Sequence, residues 1–408
     1  WSPVLAGIGG ALFVTVVGNL DGAIQVGHGI WRVLVRSGPF GEFDFWRSSR
    51  MMPPDPPGHE ITEFPFFTFL FADLHPNLMA IPFTLLALGL ALAVVLGVAR
   101  VRRGGPDSPG RHGWGLDEVG RLAALGVVVG AVRLINTWDY PTYLIVAAST
   151  IMLAEYFRRG GLGMVVFAES GAKSLRVLVV GYVVFLPFHM SYETFFTSLE
   201  RTTNQTVLWQ FLAISGLFIF ITGSFYASES KHQLLRWLRV LRRIAGQVAG
   251  ASPRGREVAI RAGGGRRANG PEKLALALVA LLSAFLAVTA AAGLLGSTIP
   301  FLLALEALVL VATVRFVRSA RADAPYLAFV AAIVAVSLTL AIGLDIFRVG
   351  GDIDRMNSIF KFYLQIWVML ALASAYILWR LADGGRTPLR RLAGRKKVWL
   401  GALAVLIV

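Results

Sequence analysis

The 24 residues from Pro76 to Ala99 carry no ionisable side chain. A helix of that length covers the ~30 Å of hydrocarbon in a bilayer, and in lipid only a helix or a closed barrel satisfies its own backbone. The pattern recurs along the 408 residues, at about 2–19, 78–100, 120–137, 140–157, 174–190, 207–226, 274–294, 299–317, 325–344, 360–380 and 397–408. It predicts an all-α, polytopic integral membrane bundle with about eleven spans. Only 15% of residues are charged, against about 25% in a soluble domain.

The chain starts at Trp1, apolar from residue 3, and ends inside an apolar run. Residues 1–408 are therefore expected to be one transmembrane domain, cut from a longer chain. With no cysteine, disulfide and thiolate chemistry are excluded.

The net charge of +15 would suggest nucleic acid in a soluble protein. Here its placement argues for a membrane surface instead. Alternate loops, 100–121, 158–176, 227–273, 315–323 and 380–397, hold 30 of the 39 Lys and Arg. Such loops stay cytoplasmic, which predicts a multi-pass protein of the cell membrane with its acidic loops extracytoplasmic. Segment 227–273 reads as a basic cytoplasmic loop. It opens as an amphipathic stretch, Leu234, Leu235, Leu238 and Leu241 alternating with arginines, suited to anionic lipid. Its Gly/Arg remainder reads as disordered. The expected partners are membrane lipids, not nucleic acid.

Residues 20–77 read as an extracytoplasmic loop. Within it "TEFPFFTFLFADLHPN" is too short to span and is rich in aromatics, an interfacial segment. Glu63, Asp73 and His75 stand there at the entrance of an apolar run. Asp21 follows the first span, and "FHMSYETFF" brings His189 and Glu193 to the same side. "AVRLINTWDYPTYL" puts Arg133 inside a span below Thr137 and Asp139, and "GGDIDRMNSIFKFYLQIW" brings Arg355, Asn357 and Lys361 to another span's start. Two readings suit these residues. Asp, Pro and Arg cap and anchor helix ends, with Arg133 reaching up to Asp139. The same helix starts, with cations beside them, form a seat for phosphate. Glu306 lies mid-span and needs a partner in the bundle.

Taken together, "GNLDG", "FDFWRSSRMMP", "TEFPFFTFLFADLHPNLMAIPF", "NTWDYPTYL" and "RMNSIFKFYLQIW" resemble the YYY-motif polytopic membrane proteins (Chlor_Arch_YYY), a domain of unknown function found in archaea and Chloroflexi-type bacteria. The resemblance runs from about Gly18 to Trp379. It implies a multi-spanning, GT-C-like membrane glycosyltransferase with a polyprenyl-phosphate sugar donor and an active site on the extracytoplasmic face. Two departures stand out. Asn77 replaces the second histidine of the family's Asp-Leu-His-Pro-His, and the family's YYY and acidic motifs lie upstream of this sequence.

On that reading the catalytic carboxylates are Asp73, then Glu63 and Asp21. His75, Arg355, Lys361 and Arg133 hold the donor phosphate, Phe64 to Phe71 line the lipid's approach, and Asp139, Thr137, Asn357 and Glu193 are further site candidates. The rival classes are a transporter or flippase for an anionic lipid or sugar, which Arg133 and Glu306 would also suit, and a non-catalytic membrane assembly protein. No metal spacing is present. Scattered carboxylates suit Mg²⁺ or Mn²⁺, and nothing in the sequence requires either.

Overall fold

Helix α1 (Pro3–Thr15) is only 13 residues long. In this computed structural model, which describes residues 3–52, 60–72, 74–103, 115–193, 198–249, 298–353, 355–383 and 394–407, the chain then turns by 78° into the amphipathic α2 (Leu20–Arg36). Gly18 makes the break. Its φ is +147°, and a Cβ there would lie 2.6 Å from the Phe218 ring, so backbone and packing both demand glycine. Asn19 then caps α2, accepting from the Asp21 amide. The expected first span, 2–19, is thus broken. The expected loop 20–77 holds α2, α3 (Phe45–Ser48) and α4 (Pro65–Phe71). Helix α4 starts on Pro65 and stops at Ala72, which takes a left-handed φ of 56°.

Four helices form a first bundle: α5 (Pro76–Arg103), α6 (Leu116–Ile135), α7 (Tyr140–Arg159) and α8 (Met164–Val184). The near-loopless α6–α7 hairpin is as expected, with Asp139 at the N-cap position, Pro141 in the first turn, and Gly160 ending α7 in the left-handed conformation. Helices α6 and α8 meet backbone to backbone. A Cβ on Gly130 would lie 2.6 Å from the Gly181 carbonyl oxygen, the close approach that small residues permit between membrane helices. Helix α8 begins ten residues before the expected span at 174 and gives way at Phe185 to the short α9 (Leu186–Ser191).

The second bundle contains α1, α10 (Leu208–Ala249), α11 (Thr298–Arg318), α12 (Ala324–Leu344) and α13 (Met356–Asp383), with α14 (Gly394–Ile407) against α10. Helix α10 runs unbroken for 42 residues without a proline. The expected boundary at 227 is therefore no helix end, because basic residues favour the helix as well as apolar ones do. The remainder of that loop and the expected span 274–294 lie outside the described residues. A two-stranded ribbon pairs β1 (Leu199–Arg201) with β2 (Phe347–Val349), Glu200 opposite Arg348.

By length and composition five described helices can cross a membrane, in α5, α10, α11, α12 and α13, or six if the bent α1–α2 pair is one span. Eleven were expected. Helices α6, α7 and α8 are of spanning length but carry charge, and α14 has 14 residues. Trp367 on α13 holds the second bundle's centre. Its indole donates to the Val14 carbonyl at 3.0 Å, and its ring stacks on Phe64 and meets Phe218 edge-on. Helix α12 packs on α5 and α7 and joins the two bundles.

Candidate functional site

Three stretches far apart in sequence meet where α5, α7 and α13 begin. Asn136, in the α6–α7 turn, donates one amide nitrogen to Asn77 at 2.7 Å and to Asp139 at 2.8 Å. Lys361, one turn into α13, brings its ammonium to 3.4 Å from His75 Nδ1 and 4.7 Å from the Phe360 ring centre. His75 packs on that same ring. One turn further, Gln365 accepts from the Tyr143 hydroxyl at 2.6 Å. Helical spacing makes this ladder. Asp139 and Tyr143 are four apart on α7, as are Lys361 and Gln365 on α13, so each pair shares a face.

The cluster is buried yet incompletely bonded. Asp139 is fully enclosed and Lys361 is 8% exposed. Asp139 Oδ2, Asn77 Nδ2 and Gln365 Nε2 are sealed from solvent without a hydrogen bond. Burial pushes the Asp139 carboxyl up to about 8, against the Asn136 hydrogen bond, the Lys361 charge and Gln365. Its acid is therefore largely neutral at pH 7. Lys361 faces both Asp139 and Glu63, but forms an ion pair with neither among the described residues. A buried ammonium without a counterion is costly and suits an anionic ligand.

The other expected site residues divide. Glu63 sits at the cluster's edge, its carboxylate 3.3 Å from Arg50. Asp73 lies outside the described residues. Arg355 is fully buried and committed elsewhere: Nε and one Nη bind Glu60 at 2.9 and 2.8 Å, and the other Nη binds Asp345 at 2.7 Å and the Leu344 carbonyl at 3.0 Å. Burial alone would lower its affinity for a proton; the Glu60 and Asp345 carboxylates outweigh that and raise it. Its fork braces the fold in place of holding a phosphate.

Asp21 is also committed, to Arg47, Ser48 and Gln25, and ties α2 to α3. Asn357 bonds Asp352, which caps α13 through the amides of Asn357 and Ser358. Arg133 does not reach Asp139: its guanidinium lies 5.3 Å over the Tyr140 ring. The Thr137 hydroxyl bonds the Arg133 carbonyl and meets the Tyr192 hydroxyl, while the amide that reaches Asp139 is its neighbour Asn136. Glu193 is exposed beyond α9. Glu306 keeps one buried oxygen without a partner.

Sequence reading missed Glu60, Asp345, Tyr143 and Gln365, whose partners are distant along the chain. It also missed a second buried ionic knot. Lys173 binds Glu118 and, at 2.7 Å, Glu155, while Arg158 binds the same two carboxylates at 2.6 and 3.1 Å. The sequence puts Lys173 and Arg158 in the basic loop 158–176, but their side chains are buried between α6, α7 and α8. Glu155 and Arg158, three apart near the end of an apolar run, were the available signal.

Phe64, Phe67, Leu70, Phe43 and Phe45 line an aromatic cavity of about 200 Å³ that opens near the α1–α2 break. No group of three or more His, Cys, Asp or Glu among the described residues could hold a metal ion.

The family model described as uncharacterized membrane protein (DUF2298) matches residues 1–370. None of the curated proteins matches the chain. No solved structure matches it either.

Proposed function

The chain belongs to this family of uncharacterized membrane proteins, and on that footing we propose that it transfers a sugar from a polyprenyl-phosphate donor on the extracytoplasmic face of the membrane. One observation carries the reading. The ammonium of Lys361 is buried beside His75 with no ion pair among the described residues, next to an acid, Asp139, that burial keeps neutral. That puts a positive charge in a dry site, where a departing phosphate is stabilised most.

The step is a single displacement. The acceptor hydroxyl attacks the anomeric carbon as the bond from that carbon to the phosphate oxygen breaks. The hydroxyl proton passes to a carboxylate, Asp73 or Glu63. The polyprenyl phosphate leaves with one more negative charge, held by Lys361 and His75. The aromatic cavity at Phe64 and Phe67, which follow Glu63 in the chain, suits the lipid's chain. Arg355 and Arg133, expected on this phosphate, have other partners and drop out of the set. The test is transfer from labelled polyprenyl-phosphate sugars in membranes carrying the full-length protein, with Asp73→Asn and Glu63→Gln combined. Unchanged transfer in that variant would remove the proposed base.

One observation favours the transporter reading. The polar ladder continues inward from Lys361 to Gln365 and Tyr143, and Glu306 has a buried, unpartnered oxygen. Sugar or lipid movement without transfer, lost in Glu306→Gln, would establish it.

A further inference from the structure

Helix α2 is built inside out. Helical spacing spreads Val33, Val26, Ile30, Leu34, Ile24 and Val35 over an arc of about 200°, and all six are exposed, Leu34 to 76%. Every ionisable residue of the helix, Asp21, His28, Arg32 and Arg36, falls on the remaining arc. From Asp21 to Gly29 that polar arc is the one the chain covers. Asp21 bonds Arg47 and Ser48. Gln25 accepts from the Asp44 amide at 2.9 Å and donates to its carbonyl at 3.0 Å. Gly29 lies so close to Phe40 that a Cβ would fall 2.6 Å from the ring. A helix beside water buries its apolar stripe and shows its polar face; α2 does the reverse.

The direction of α2 tells what that apolar arc meets. Gly10 of α1 lies against Leu372 and Ala375, and the Val14 carbonyl accepts from Trp367, so α1 runs antiparallel along α13, a helix long and apolar enough to span. The 78° turn then lays α2 close to the membrane plane, at the face where α13 begins. Trp31 lies in the apolar arc, its ring 5.7 Å from that of His28, and the Arg36 guanidinium sits 4.4 Å over it. Aromatic rings and long cationic side chains of this kind favour the headgroup level. We propose that α2 docks in the plane of the bilayer, its apolar arc among the acyl chains and Arg32 and Arg36 at the headgroup phosphates. An interfacial helix sinks by about 5–10 Å, enough for fluid chains to wet more than half its circumference. A partner helix would cover a stripe of about 100°. Docking also sets the aromatic cavity, which Asn19 and Gly22 help to line, at the lipid boundary. This inference stands independently of the sugar-transfer reading.

The test is electron paramagnetic resonance of spin labels on single cysteines, in the full-length protein freed of any other cysteine and reconstituted in vesicles of dioleoyl phosphatidylcholine and dioleoyl phosphatidylglycerol. Oxygen concentrates among acyl chains and a nickel chelate in water, so the ratio of their collision rates with a label reports its depth. We expect Ile24→Cys, Ile30→Cys and Leu34→Cys to share one shallow depth, about 5–10 Å below the headgroups, with oxygen favoured at all three. Met79→Cys and Leu86→Cys, exposed on α5, give the scale of a crossing helix, about 10 Å between the two. A depth that changes by about 15 Å from Ile24 to Leu34 would make α2 part of a crossing and overturn the proposal. So would labels that neither oxygen nor nickel reaches, the mark of a second copy or another segment seated on the face. Labels open to nickel, the mark of water, would overturn it too. The three α2 positions are exposed, and any two of them decide the slope if one label disturbs the helix.

Discussion

The Nζ of Lys361 lies 3.4 Å from Nδ1 of His75, a residue 286 positions away in sequence. For the ammonium to donate, Nδ1 must present its lone pair, so the imidazole carries its proton on Nε2. One positive charge is then shared by two groups that could each face a phosphate oxygen. Asp139, buried alongside, does not cancel that charge while it is protonated.

Asp139 makes stability depend on pH. Its folded pKa is raised from 3.8 to about 8, so the native state keeps a proton that the unfolded chain gives up. Stability is then full below about pH 4 and declines as pH rises towards 8, by about 1.4 kcal/mol per unit, before levelling off. In Asp139→Asn this decline should vanish. Denaturation midpoints in detergent between pH 5 and 8 check it, and an unchanged slope in the variant would refute the assignment.

Removing Arg355 should cost more than removing a surface ion pair. Arg355→Leu leaves Glu60 and Asp345 buried without their cation, a loss of about 3–5 kcal/mol. Arg355→Lys should recover only part, since one ammonium cannot bind Glu60 through two nitrogens and also reach Asp345 and the Leu344 carbonyl. Thermal unfolding of the two variants checks the order.

The knot around Lys173 predicts a rescue. Lys173→Met leaves Glu118 with Arg158, and Glu155 with Arg158 and the more exposed Arg159, and should destabilise α6, α7 and α8 by several kcal/mol. Pairing it with Glu118→Gln removes the buried carboxylate that lost its lysine and should restore part of the loss. A double variant no better than the single would show that the contacts are not coupled.

Gly130 should tolerate no side chain. Its Cβ would fall 2.6 Å from the Gly181 carbonyl oxygen, and two backbones cannot yield as a flexible side chain does. Gly130→Val should part α6 from α8 and cost about 1–3 kcal/mol or more. Gly171, with open space around it, is the control: Gly171→Ala should leave the melting point unchanged or raise it.

His75, Asp139 and Lys361 were legible in the sequence because each stands where an apolar run begins on the same predicted side. Helix starts on one side of a bundle are brought to one end, so polar residues there meet whatever lies between them. Which cations were already paired was not legible. Arg355 and Lys361 read alike at the mouth of α13, yet Glu60, 295 residues from Arg355, takes one and leaves the other. The α1–α2 break was also hidden, since the Phe218 and Trp367 rings that leave no room for a Cβ at Gly18 arrive from other helices. The basic stretch reads as helical, but its continuity with the span before it was not legible: charge tells which side of a membrane a segment favours, not where a helix ends.

The most direct measurement is transfer of label from polyprenyl-phosphate sugars to acceptor in membranes carrying the full-length protein, wild type against Lys361→Met. We expect transfer in the wild type and a loss of about 100-fold or more in the variant, with accumulation not reduced and the melting point unchanged or raised. Transfer undiminished in Lys361→Met, or no transfer from any such donor in the wild type, would contradict this account.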